Sequence, residues 1–262
     1  MVVFGTGGSG TRVIARIVRH AGCFLGRNLN VSDDSLDLAD FFDRWINPYL
    51  LQCRWIDSVL AGTDSMMPSP QNAALMIQDF QQTMIQHRIG FAEAGGRWGW
   101  KEPRSIYLLP FLREQYPGMV GIHVVRDGRD MAYSANQNQL AKHGSSVLTE
   151  PQLKLPLPVQ SLTLWSKVNL AAAIFGERFL DGQYLRVRFD DLCANPAGVV
   201  AEIFGFLGVA PGDTPQIRAA VAEVNRPGTI GRWRASAGNE MAELTGHGEG
   251  ALREFGYLTG DG

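Results

Sequence analysis

The chain has 262 residues, 45% of them hydrophobic, with a formal net charge of −2. That is enough apolar material for one substantial α/β core spanning residues 1–262, and too little positive charge for a general nucleic-acid or anionic-membrane surface. Cys23, Cys53 and Cys193 form no C-x-x-C pair, no leader or membrane-length apolar run is read, and a cytoplasmic protein without zinc or disulfides is expected.

The N-terminal stretch dominates. Val2-Val3-Phe4 reads as a short strand, and Val13, Ile14, Ile17, Val18 and Ala21 recur at helical spacing. Between them lies Gly5-Thr6-Gly7-Gly8-Ser9-Gly10-Thr11-Arg12. Strand, glycine turn and helix start together make an anion cradle, because glycines bring backbone N–H groups close and the helix end adds partial positive charge. The turn satisfies G-x-G-x-x-G, with Asp33 and Asp34 at roughly the distance of a ribose-binding acid. It also has the spacing of a phosphate loop, but Thr11 and Arg12 replace the lysine and Ser/Thr of an ATP-binding one.

The first helix is expected to end near Gly22, and Leu36–Leu51 to be helical with Asn47-Pro48 interrupting it. Residues 71–89 read as an amphipathic helix and 90–99 as turn-rich. Trp98–Pro103 reads as a short strand stopped by proline, followed by a helix to Tyr116. Met119–Val125 is an apolar run fit for a buried strand, ending in Arg126-Asp127-Gly128-Arg129-Asp130 at the start of a helix that would carry Ser134 on its second turn. Residues 140–158 show no clear period, so a lid or acceptor-binding loop is expected there. A helix through Leu162 and Phe175, a strand over Tyr184–Phe189, and helices from Asp190 to Leu207 and from Pro215 to Val224 complete the pattern. Alternating strands and helices predict a mainly parallel sheet flanked by helices. Ligands of such sheets bind at the carboxyl ends of the strands, where the glycine turn, Lys101 and Arg126 all fall.

Arg126 and Ser134 could share one phosphate, and the basic tail Arg226 to Arg234 with Gly228 and Gly231 offers a second anion-binding segment. Two anion sites suit a nucleotide with phosphates at both ends of its ribose. Gly8-Ser9-Gly10-Thr11, Lys101-Glu102-Pro103, Arg126–Asp130 with Ser134, Phe189-Asp190-Asp191-Leu192 with Asn195-Pro196, and Arg226-x-Gly228-x-x-Gly231-x-Trp233 together resemble the sulfotransferases, in family order from residue 5 to about 234.

The resemblance implies a P-loop-type α/β fold and transfer of a sulfuryl group from 3′-phosphoadenosine 5′-phosphosulfate (PAPS), without a metal, to a hydroxyl or amine of a small-molecule, carbohydrate or lipid acceptor. It implies that Gly7, Gly8, Ser9, Gly10, Thr11 and Arg12 bind the 5′-phosphosulfate. Arg126, Ser134, Arg226 and Gly228 would hold the 3′-phosphate, and Phe189 would lie near the adenine or in the core. Two positions depart from the family pattern. Gly8 stands where many members carry Lys or Arg, which leaves Lys101, then Arg12, as the cation at the leaving group. Pro103 stands where cytosolic members place a histidine, so the base is sought among carboxylates: Asp33, Asp34 or Glu102. His123 is read as a core residue, His20 as a helix-end group and His143 as an outside candidate. The acceptor side is assigned to insertions over about 23–95 and 140–158, with Trp45, Tyr49, Trp55, Met66 and Met67 as apolar lining or core. A P-loop kinase, a non-catalytic nucleotide-binding module and, more distantly, a dehydrogenase are the rival readings.

Overall fold

The structure is a computed structural model, and it describes residues 1–63, 72–210, 212–236 and 241–258. Met66 and Met67 therefore lie outside the described residues.

Strand β1 (Val2–Gly5) is followed by helix α1 (Thr11–His20), the short β2 (Cys23–Phe24), α2 (Ala39–Cys53), α3 (Trp55–Leu60), α4 (Ala73–His87) and α5 (Phe91–Ala94). Then come β3 (Arg97–Trp98), β4 (Trp100–Lys101), α6 (Leu109–Gln115), β5 (Gly121–Val125), α7 (Gly128–Ala132), α8 (Asn138–Val147) and the long α9 (Leu157–Phe179). Strand β6 (Tyr184–Arg188) leads to α10 (Phe189–Ala194), α11 (Pro196–Phe206) and α12 (Pro215–Ala222). The main sheet is parallel, in the order β4-β1-β5-β6, and β2 and β3 form a separate parallel pair.

Strand β1 shows why the sheet is sandwiched. Val2, Val3 and Phe4 are all fully buried. Side chains alternate across a strand, so Val2 and Phe4 join the core built with α2, α6 and α9, while Val3 joins the one built with α1 and α11. Both faces are covered, as a parallel sheet requires.

Four expectations change. Pro48 does not interrupt a helix: α2 runs through it. The lost N–H is tolerated because Phe41, Phe42, Ile46, Tyr49, Leu50 and Cys53 bury one continuous face. The 140–158 segment is not a structureless loop. It continues α8, whose Leu140, His143, Gly144 and Val147 are buried at i, i+3, i+4 and i+7 against α2 and α9. The polar residues and Gly144 hid that period. Ser134 is not two turns into a helix, because α7 closes at Ala132 and Ser134 Oγ accepts from the Asn136 backbone N–H at 3.2 Å. The segment after β6 is two helices, with Asn195 between them capping α11 through Gly198 N–H.

Candidate active site

Register fixes the edge where the site lies. Val3 pairs with Lys101, Gly5 with Val124 and Val125 with Arg188. Thr6, Lys101, Arg126 and Phe189 therefore leave the sheet together, at the carboxyl ends of four parallel strands. A hollow of about 430 Å³ around Met1, Trp98 and Val120 sits at the amino ends, on the opposite edge.

The glycine turn is built for close approach. Gly8 and Gly10 have φ of 86° and 98°, in the left-handed region. A Cβ on Gly10 would also overlap the Phe189 ring. Gly10 is the N-cap of α1 and no side chain caps that end, which leaves the first-turn N–H groups of Thr11 and Arg12 without a side-chain acceptor. Thr6 Oγ1 and Ser9 Oγ are buried without a hydrogen-bond partner. Unpaired hydroxyls and unblocked amides at a helix start are what a bound anionic group would satisfy. Phe189 itself is 3% exposed and packs in the core behind Gly10, so it shapes the turn from beneath.

Lys101 is 2% exposed. Its Nζ donates to Ser32 O at 2.9 Å and to the Asp34 carboxylate. Asp34 is in turn held by Asn30, whose Nδ2 donates to it at 2.9 Å while Asn30 Oδ1 accepts from the N–H groups of Ser32 and Asp34. The 30–35 turn is thus folded around one asparagine. Lys101 does not pair with Glu102, which instead accepts from Arg104.

Asp33 and Asp34 are adjacent in sequence but part company. Asp33 faces Arg16 and Arg19 on α1, at 3.1 and 2.9 Å. Partial burial works to raise its pKa, but the two guanidiniums outweigh it and hold the carboxyl below its ordinary value. Asp33 is thereby engaged by α1, whereas its neighbour Asp34 faces Lys101 at the end of β4. Arg12 is exposed and lies one and two turns before Arg16 and Arg19 on the same helical stripe.

The second anion-binding region is a clasp. Arg126, 5% exposed, donates to Asp130 at 3.0 Å and to Thr229 O and Oγ1 at 2.6 and 3.1 Å. Asp130, 1% exposed, accepts from Gly231 N–H at 2.9 Å. Arg129 pairs with Asp127 and lies over the Trp233 ring at 4.0 Å. The strand-end motif thereby ties residues 229–233 to the sheet edge. Arg126 Nε is buried without a partner, and Arg226 is exposed in the same tail. Asp190 adds a further tie. Burial raises its pKa, and Tyr257 Oη donates to it at 2.9 Å.

The three histidines weighed in the sequence are each engaged by another side chain. His123 is fully buried between Tyr184 and Asn169, and burial lowers its pKa to about 4. His143 is also pushed down to about 4 by burial, and it bonds Asn47 and lies against the Tyr107 ring at a tilt. His20 meets Glu223 at the end of α1. Trp55 and Tyr49 are core residues, at 0 and 1% exposed.

The sequence matches the sulfotransferase family over residues 2–213. The chain belongs to the sulfotransferase family. Relatives include carbohydrate sulfotransferase 5 of Mus musculus, 28% identical over 129 residues covering 45% of this chain and 31% of that protein. The human counterpart is 27% identical over 135 residues, 48% of this chain and 32% of that one. The aligned part is thus about a third of the length of these curated relatives. Among solved structures, the sulfotransferase domain from the curacin biosynthetic pathway superposes with a TM-score of 0.58 at 15% identity, over 98% of this chain and 97% of that one. Sulfotransferase STF1 from Mycobacterium tuberculosis gives 0.55 at 16%, over 95% and 76%. At these identities the likeness speaks for the fold. For this sulfotransferase-family chain, the lysine-free glycine turn and the family match together leave the kinase and dehydrogenase readings without support. Among the described residues, no helix is long and apolar enough to cross a membrane.

Sequence reasoning missed Asn30, Thr229, Tyr107 and Gln139. Only Asn30 had a readable signal, the Asn-x-Ser-x-Asp spacing of a side-chain-capped turn. The others act through contacts between distant segments.

Proposed function

We propose that this chain is a PAPS-dependent sulfotransferase acting on a hydroxyl-bearing or amine-bearing small molecule, carbohydrate or lipid. One observation supports the reading most: the glycine turn with its unpaired Thr6 and Ser9 hydroxyls, buried Lys101 and buried Arg126 share one strand-end edge. When bound, the donor supplies an activated sulfuryl group. Gly7, Gly8, Ser9, Gly10 and Thr11 bind its 5′ end through backbone N–H groups and hydroxyls, with Arg12 at the rim. Arg126, with Arg226 and Gly228 in the tail it clasps, serves the 3′-phosphate. Ser134 stays a weaker candidate there, since its hydroxyl is engaged by Asn136.

Lys101 is the cation that offsets charge on the departing phosphate oxygen, replacing the one Gly8 lacks. Asp34, already hydrogen-bonded to Lys101, takes or orients the acceptor proton. No metal enters the proposal. The three free cysteines fit a reducing compartment such as the cytoplasm.

Calorimetric titration with 3′-phosphoadenosine 5′-phosphate, with EDTA present and ATP and NADH as controls, tests the donor site. Tight binding of the bisphosphate alone, weakened at least about tenfold in Arg126→Ala, is expected. ATP binding that needs Mg²⁺, or no bisphosphate binding, overturns the reading. Bisphosphate binding with no sulfuryl transfer to any acceptor would leave the non-catalytic module.

A further inference from the structure

A cavity of about 30 Å³ opens beside the glycine turn, walled by Thr6, Gly7, Gln139, Ser161 and Trp165. Of its lining, only Leu140 falls in a segment that the sequence assigned to the acceptor side; the rest comes from the glycine turn, residues 131–139 and α9. The cavity holds only one or two non-hydrogen atoms, about the space of a water molecule or two. It therefore admits the reacting end of a ligand and leaves the remainder outside.

Its wall has a chemical bias. Trp165 is 1% exposed, and its Nε1 has no partner. An indole N–H can only donate. Gln139 Oε1 accepts from the hydroxyl of fully buried Tyr107 at 3.0 Å. That commits the amide oxygen and leaves the NH₂ group, whose nitrogen lies 3.8 Å from where a Gly7 Cβ would be. Thr6 Oγ1 is the third unpaired group. No residue lining the cavity carries a formal charge. Buried donors without partners are costly and are regained by a ligand that brings acceptor oxygens. An ammonium would bring donors to donors, with no carboxylate in the wall to neutralise it.

Resting on the sulfotransferase reading, we infer that this cavity anchors the acceptor and selects a neutral polyhydroxylated alcohol over an amine, with Gln139 Nε2 and Trp165 Nε1 donating to the acceptor's oxygens. Tyr107 is a positioning residue, because it acts only by orienting the Gln139 amide. At the outer lining Gln137 Nε2 is committed to the carbonyls of Met131 and Ser134, which fixes the chain before α8, and Asn136 keeps its NH₂ group for a neighbouring hydroxyl.

The test uses the full chain with PAPS and a panel of neutral methyl glycosides, the matching amino sugars and an aliphatic amine. The expected result is sulfuryl transfer to a glycoside in preference to its amino counterpart. Gln139→Leu and Trp165→Phe should each raise KM for that glycoside about tenfold, the loss of one hydrogen bond, while affinity for 3′-phosphoadenosine 5′-phosphate stays within about twofold. Trp165→Phe keeps a ring against Gly128 and Phe255, so its melting temperature serves as the folding control. Preference for the amine overturns the inference, as does an unmoved KM in both variants. A fall in bisphosphate affinity in both would assign the cavity to the donor instead, and bisphosphate binding without transfer to any glycoside also defeats it. Failure of the underlying sulfotransferase reading is read separately, as an unmodified chain that does not bind the bisphosphate or that transfers sulfuryl to neither the glycosides nor the amines.

Discussion

The donor side and the acceptor side of the strand-end edge are built differently. On the proposed donor side, short motifs do most of the work: Gly5 to Thr11 shape a turn and a helix end, and Arg126 pairs with Asp130 within one turn of chain. On the proposed acceptor side, the contacts that bring the polar groups together run between segments distant in sequence. Lys101 meets Asp34 across 67 residues, Tyr107 meets Gln139 across 32, and His143 meets Asn47 across 96. A binding edge for a fixed nucleotide can be local and stereotyped. A pocket that sets acceptor choice is drawn from several elements, so its composition can vary without disturbing the turn.

The strongest way to break that contrast is at Gly10. Gly10→Ala forces a side chain into left-handed backbone and into the Phe189 ring. Stability should fall by about 3 kcal/mol and bisphosphate binding by more than about 100-fold, measured by denaturant unfolding and calorimetry. Acceptor-side geometry should change little, so a variant with normal bisphosphate affinity would show that the turn is not the donor cradle.

Acid should strike both sides alike. His123 lies on the inner strand β5 and His143 on the buried face of α8, each with its pKa lowered by burial from 6.5 to about 4. A group whose folded pKa is depressed contributes its full stability above the unfolded value and loses it as pH falls toward the folded one. Stability should therefore drop between about pH 6.5 and 4, by roughly 3 kcal/mol for each ring. A flat unfolding free energy across that window would contradict their burial as neutral groups.

Lys101→Ala sharpens the comparison, because it should lower kcat about 100-fold and leave bisphosphate affinity nearly intact. Equal losses in both would move Lys101 to the donor site. Asn30→Ala, which frees Asp34 without touching Lys101, should cost about tenfold in kcat and shift the alkaline or acid limb of the pH–rate profile. An unchanged profile would make the asparagine structural only.

The smallest effect is expected at Asp33→Asn. The left-handed backbone there, φ 62°, suits asparagine. Breaking the pairs with partly exposed Arg16 and Arg19 should cost under about 1 kcal/mol, with kcat unchanged. Because the Asp33 pKa is lowered, that contribution is present above its ordinary 3.8 and disappears as pH falls through the lowered value. Variant and parent should converge in stability in strong acid, and a large loss of turnover would make Asp33 the candidate base.

The sequence by itself determined the parallel α/β order and the strand-end edge at which the candidate residues fall, with a glycine turn at the start of a helix. These follow from local rules: apolar runs with period two or three to four, glycines at a helix start, and charged residues where strands end. It also read His123 as a core group, since an apolar strand surrounds it. Tertiary structure alone decided which carboxylate faces Lys101. Asp33 and Asp34 are equivalent as a string, but one residue of turn sends one to α1 and the other to β4. It decided that Pro48 lies inside a helix and that residues 140–147 form one, because burial against α2 and α9 outweighs weak local preference. It placed Gln139 over Gly7 and turned Arg126 to hold Thr229, more than 100 residues on. Contacts of that kind depend on how whole helices pack, and no spacing along the chain encodes them.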